Sequence, residues 1–266
     1  MLELFDKLDC FGLGGVVIKK MNIKVYDSNV EKKAAAKNRS PELEAYMMKR
    51  KFNCPVCSCD FESSYVRSSK TRLKRLDTDL KPIYEPVDPL YYDATVCPEC
   101  GYAALGATFS SLLDKQADEI KKRITPNYKP KEYSLIHTAS DAIERYQLAL
   151  LNSVIKKGKD SEKAFICLKT AWIYRDENNT EKETLFLQSA VSGFVSAYEN
   201  EEFPICGMDN PTLTYLIGEL YRRLGNYEKA IYFISRVIGM HGANQRILDR
   251  AQDARELIKK ARAAQE

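Results

Sequence analysis

Two cysteine pairs, Cys54-Pro55-Val56-Cys57 and Cys97-Pro98-Glu99-Cys100-Gly101, constrain this chain more than any other feature. Each is a C-x-x-C knuckle, and together they offer the four thiolates that a tetrahedral Zn²⁺ takes at a structural site. Four sulfurs close the metal's shell and leave no position for water or substrate. Zinc on Cys54, Cys57, Cys97 and Cys100 is therefore expected to fix a fold rather than to perform chemistry. A redox dithiol is the competing use of C-x-x-C, but neither pair lies beside a βαβ pattern. Cys59 is a spare, read as a half-buried thiol with metal ligation as its alternative. Cys10, Cys167 and Cys206 are isolated and read as small packing residues.

Clustered cysteines point to metal binding rather than to a disulfide framework. The N-terminus also lacks a secretory pattern, since Glu3, Asp6 and Asp9 precede its short apolar run. A reducing cytoplasm is the expected compartment. No apolar stretch approaches the roughly 20 residues of a membrane span, so no membrane partner is expected. Hydrophobic residues make up 44% of the chain, enough to build cores, while a formal net charge of +4 is too small to name a partner. Residues 1–40 form an N-terminal extension. Met21-Asn22-Ile23-Lys24 is a natural beginning, and the 20 residues before it are expected to be non-native. Gly12-x-Gly14-Gly15 has no strand-then-helix context and is not read as a phosphate loop.

The expected fold class is α+β, with a small β-rich zinc-ribbon-like domain over 41–107 and an all-α TPR-like array over 108–266. Ser40-Pro41-Glu42-Leu43-Glu44 carries the cap, proline and acidic first turn of a helix start, which predicts a helix over about 41–51. The 39 residues between the knuckles exceed the ~15–20 of a compact site and predict an elaborated insert. Phe61–Val66, Arg72–Leu76 and Tyr91–Val96 have strand composition, and Pro82, Pro86 and Pro89 punctuate a loop. Helices are predicted over 108–124, 135–157, 161–177, 181–200, 211–224, 227–241 and 244–264. Gly218, Tyr221, Gly225, Tyr227, Ala230 and Ile234 fall at the spacings of a tetratricopeptide unit. Such an array has a concave groove lined by first helices, and in this repeat Thr212, Tyr215, Glu219 and Arg222 are the candidate partner-binding positions.

Residues Cys54 to Ala104 resemble a bacterial family known as domain of unknown function 2225. The likeness rests on both knuckles, Val66-Arg67-Ser68-Ser69-Lys70, Asp77-x-Asp79, Pro89-Leu90-Tyr91-Tyr92-Asp93 and Gly101-Tyr102-Ala103. The resemblance implies a zinc-ribbon-like head on a TPR-like body and brings no activity with it. The glycine usual after the first knuckle is Ser58 here.

Arg67, Lys70, Arg72, Lys74 and Arg75 fall within 63–76 with no acidic residue among them, a pattern that suits phosphate contact on nucleic acid. Residues 41–110, however, hold 9 Lys+Arg against 10 Asp+Glu, and a Cys₄ zinc centre adds a further −2. That balance disfavours a polyanion. Asp77, Asp79, Asp88 and Asp93, with Tyr84, Tyr91 and Tyr92, form an aromatic-acidic group read as turn and cap residues, with a second metal as its alternative. His137 and His241 stand near predicted helix ends. No Ser-His-Asp or Cys-His order, Walker loop or H-E-x-x-H helix occurs, so a non-enzymatic role is expected and carboxylate-only chemistry is left open. The leading reading is a cytoplasmic adaptor with structural zinc and a protein partner. The alternatives are a nucleic-acid-associated ribbon and a thiol-based redox sensor.

Overall fold

The structure is a computed structural model and describes residues 41–264. The readings of Met21, of the Gly12–Gly15 run and of the Ser40 cap lie outside those residues. Helix α1 (Pro41–Glu44) is a single turn, and strand β1 (Met47–Asn53) takes over where the sequence predicts a continuing helix. Lys49-Arg50-Lys51 shows no alternation of polarity, so the strand has little local signal. Pairing imposes it: β1 runs antiparallel to β2 (Asp60–Val66), with Phe52 opposite Phe61 and their rings stacked at 5.6 Å.

Strands β3 (Arg72–Leu76) and β4 (Pro82–Glu85) form a second antiparallel pair. Pro82 opens β4, where a missing N–H costs least. The register skips Lys74, pairing Leu73 with Tyr84 and Arg75 with Ile83. This bulge puts Leu73 and Leu76 on one face of the ribbon and Arg72 and Arg75 on the other. A 3₁₀ turn (Pro89–Tyr92), with Asp88 accepting from Leu90 N, replaces the start of the predicted strand 91–96. The remainder is β5 (Ala94–Val96), paired with β6 (Ala103–Leu105).

Helices α2 (Asp114–Arg123), α3 (Ala139–Ile155), α4 (Asp160–Asp176), α5 (Thr180–Asn200), α6 (Asn210–Arg223), α7 (Tyr227–Ile238) and α8 (Gln245–Ala263) follow. They match the seven predicted segments: α4, α5 and α6 begin within one residue of the expected start, while α2, α3, α7 and α8 are shorter than predicted. Thr138 and Asp141 close a capping box on α3, and Asp209 caps α6. Helices α4/α5 and α6/α7 pack as pairs. A Cβ on Gly218 of α6 would stand 2.9 Å from Ile234 of α7, so glycine there permits the close approach. The first predicted pair differs, because α3 packs chiefly on α4, β5 and β6 rather than on α2.

Tyr102–Leu105 is buried, and Ala103–Leu105 of it is strand β6. One apolar cluster runs from Leu90, Ala94, Val96 and Leu105 into Tyr146, Trp172 and Phe194 of the helices. The boundary expected at 107/108 is therefore crossed by a continuous core. The described part of the chain is mixed α/β, with small antiparallel strand pairs followed by a helical array.

Candidate metal centre

Each knuckle is the tip of a hairpin, the first between β1 and β2 and the second between β5 and β6. The two tips have the same backbone wiring. Ser58 N donates to Cys54 O (2.9 Å) and Cys54 N to Cys59 O (2.9 Å). Gly101 N donates to Cys97 O (3.1 Å) and Cys97 N to Tyr102 O (2.8 Å). Both tips need a left-handed residue after the second cysteine, with φ +60° at Ser58 and +74° at Gly101. Gly101 also has no room for a side chain, since a Cβ would lie 2.4 Å from Tyr128 Cγ. Ser58 is exposed and accepts the turn at a cost of about 1–2 kcal/mol. Ser58→Gly should therefore stabilise the protein by about 0.5–1 kcal/mol after the extra unfolded-state entropy of glycine. Thermal unfolding should show a Tm rise of about 2 °C.

The folded hairpins bring Cys54, Cys57, Cys97 and Cys100 together with all Sγ atoms within 4.8 Å of one another. Cys54 Sγ lies 3.6 Å from Cys100 Sγ, and Cys57 Sγ lies 3.6 Å from Cys97 Sγ. A tetrahedron with metal–sulfur bonds of ~2.3 Å has an edge of about 3.8 Å, so these four thiols can hold a metal ion. Among the described residues, this is the group of His, Cys, Asp or Glu side chains that converges in this way, and Cys59 is outside it. Hydrogen bonds from Cys100 and then Cys97 hold the Cys54 thiol below its ordinary value, and its partner Cys100 is pushed up chiefly by Cys54. The sulfurs share negative charge, and a cation would balance it.

The centre sits in an apolar shell. Cys54, Cys97 and Cys100 are buried, while Cys57 is exposed. Phe52, Phe61 and Phe109 pack beside them with ring centroids 5.4–5.8 Å apart, and Ile120 of α2 and Ile155 of α3 complete the cluster. The helices also grip the second knuckle through its backbone. Thr125 Oγ1 donates to Cys100 O (3.1 Å) and Asn152 Nδ2 to Gly101 O (3.1 Å). The four cysteines, the strand pairs and the helices thus form one unit. Of the other thiols, burial pushes Cys167 up to about 12 and Cys206 up to about 11, as packing residues require.

The remaining predicted positions lie elsewhere. The chain's own loop 77–81, from between β3 and β4, packs against α6 and α8 at these positions. Tyr215 and Glu219 are buried there: Tyr215 Oη donates to Thr78 O (2.6 Å), and Thr78 Oγ1 to Glu219 Oε1 (2.5 Å). The expectation that Thr212, Tyr215, Glu219 and Arg222 line an open groove is corrected accordingly. Thr212 is half-buried in the capped first turn of α6, and Arg222 is held by Glu219 at 2.6 Å.

Asp77 and Asp79 do more than shape a turn, which sequence reasoning missed. Asp79 is fully buried; Arg175 meets it at 2.6 and 3.2 Å and Trp172 Nε1 at 2.9 Å. Arg175 and Arg223 each reach Asp77 at 3.1 Å, and Arg250 Nη1 donates to Asp77 O at 2.9 Å. Lys81, 2% exposed, pairs with Asp176. Cations from α4, α6 and α8 therefore clamp the head's loop. Asp93 likewise pairs with Lys169. The one sequence signal was two aspartates flanking Thr78, which named no partner.

His137 is buried beside Arg145, stacked on Tyr92 at 4.5 Å, and burial followed by the Arg145 charge pulls it down to about 4. The five cations of the basic segment, Arg67, Lys70, Arg72, Lys74 and Arg75, are exposed, while Thr71 between them is buried. Arg67 Nε donates to Met47 O (2.7 Å), Lys70 Nζ to Ala45 O (2.9 Å), and Lys74 pairs with Glu85 (2.8 Å). No described helix is long and apolar enough to cross a membrane.

Comparison with known families places this geometry. The model of a family described as uncharacterized proteins conserved in bacteria (DUF2225) matches residues 47–258, which span every element from β1 to most of α8. The chain belongs to DUF2225. The chain is also similar, at 29% identity over 155 residues, to an uncharacterized protein of Borreliella burgdorferi. That match covers 52% of this chain and 56% of the relative, so the chain spans about half of the relative's length. No solved structure matches this DUF2225 member.

Proposed function

We propose that this protein is a non-enzymatic adaptor whose zinc-ribbon-like head and TPR-like body are locked together by a structural zinc ion. The observation that carries this reading is the convergence of four thiols on a tetrahedron of the right edge. Cys₄ is a closed donor set. The metal's work is to join two hairpin tips whose apolar flanks, Phe52 and Phe61 on one and Tyr102 and Ala104 on the other, meet in a single cluster, and thiols of this kind stay reduced in the cytoplasm. The paired helices, with Gly218 at a close crossing, support the TPR-like assignment.

The same architecture favours protein binding over catalysis. A stacked array presents an extended surface, and the part nearest the clamp that stays accessible is the rim at Thr212 and Arg222. Tyr215 and Glu219 are already engaged by Thr78, an internal segment seated where a partner's segment would lie. A tagged chain recovered from its native cells should carry one protein in stoichiometric amount. That protein should be lost from Thr212→Arg, which leaves the Glu219–Arg222 pair in place, with thermal unfolding unchanged. Recovery of the same protein by this variant would remove the rim from the account.

A further inference from the structure

We infer that the head carries a binding surface for the phosphodiester backbone of single-stranded nucleic acid, centred on Lys70, Arg72 and Arg75. The net charge of residues 41–110 argues against a polyanion only if all its charges face solvent, and they do not. Asp77, Asp79, Asp88 and Asp93 are buried or half-buried, and three of them pair with Arg175, Arg223 or Lys169 of the helices. Lys81 is the one cation of the head turned inward. Eight exposed cations then face six exposed carboxylates, a balance of +2 where the sequence total is −1.

The thiolate centre is also remote from the basic segment. The thiolate centre caps one end of the β1/β2 hairpin, and Arg67 follows the other end. Seven paired residues at ~3.4 Å each separate them by about 20 Å. This is about twice the Debye length of ~8–10 Å, so the centre's negative charge is screened from the basic end. Between α1 and that end runs an open groove of about 570 Å³, lined by Glu42, Ala45, Tyr46, Ser69, Lys70 and Arg72. It combines an aromatic ring, a hydroxyl and two cations, the set that tracks a single strand by stacking and phosphate contact. Glu42 is its one opposing charge. The bulge at Lys74 turns Arg72 and Arg75 to a common face, where Glu85 stands opposite Arg72 and is paired with Lys74 at 2.8 Å, leaving both arginines outside the ion pairs of the described residues. The exposed Leu73 and Leu76 occupy the opposite face.

The test is fluorescence anisotropy of a labelled oligouridine of about 15 nucleotides, titrated with the metal-loaded full chain across a salt series. Affinity should fall with salt by a slope of about −0.7 per phosphate contacted. Arg72→Ala/Arg75→Ala should flatten that slope by about 1.4 while leaving circular dichroism unchanged. Leu73→Ser/Leu76→Ser should leave it intact. Absence of binding at low salt, or an unaltered slope in the arginine variant, overturns the inference. So does retention on phosphatidylglycerol vesicles that depends on Leu73 and Leu76 without binding to the oligonucleotide, which would assign the ribbon to a lipid surface.

Discussion

Cys97→Ser, or removal of the metal by a chelator, is expected to unfold the head and to lower the Tm of the whole chain by more than about 10 °C. Structural Zn²⁺ in small sulfur-rich sites supplies roughly 10–16 kcal/mol of apparent binding free energy. Total stability of a domain is only about 5–15 kcal/mol. Without a cation, four thiols at these separations must either shed charge or hold it in an apolar shell, and neither repays the ordering of two hairpin tips. The loss is not confined to the head, because Cys97 and Cys100 share a cluster with Ile120 and Ile155 of the helices. Calorimetry of the zinc-loaded and chelated protein should show one transition that moves as a whole. A fixed helical transition beside a lost one would mean that head and array unfold independently.

Arg175→Met should cost about 3–5 kcal/mol, the second largest effect, because it leaves Asp79 buried with its main partner gone. At ~2–4 °C per kcal/mol the expected Tm decrease is roughly 10 °C. The double variant Arg175→Met/Asp79→Asn should lose less than the sum of the single changes, since the orphaned charge is removed with its partner. Burial pushes the Asp79 carboxyl up, but Arg175 and Arg223 outweigh burial and hold it below its ordinary value. Its folded pKa is thus depressed. Its contribution is present above the unfolded value and is lost as pH falls through the acid range. Wild type should therefore lose stability on acidification more steeply than Asp79→Asn, as read from denaturant midpoints against pH.

The cysteine cluster was legible because C-x-x-C spacing is a local code read within each hairpin tip. The helices were legible for a similar reason: caps such as Asp209 and periodic stripes such as Ala230, Ile234 and Val237 lie within a few residues of one another. Strand β1 was not, since Lys49-Arg50-Lys51 has no periodicity and takes its conformation from pairing with β2. The clamp was hidden for the opposite reason. Asp79 meets Trp172 and Arg175 across more than 90 residues, and Thr78 meets Glu219 across 141. No window of sequence contains both partners. Repeat spacing drew attention to Tyr215 and Glu219 as inward positions, but it could not reveal that the chain itself fills the space before them. The charge sum over 41–110 misled in the same way, because it could not sort carboxylates that face the helices from cations that face solvent.

Elemental analysis of protein purified without added metal, run on the wild type, Cys97→Ser and Cys59→Ser, tests the central claim most directly. The account predicts about one zinc per chain, lost from Cys97→Ser and retained in Cys59→Ser. Zinc absent from the wild type, or dependent on Cys59 and indifferent to Cys97, would contradict it.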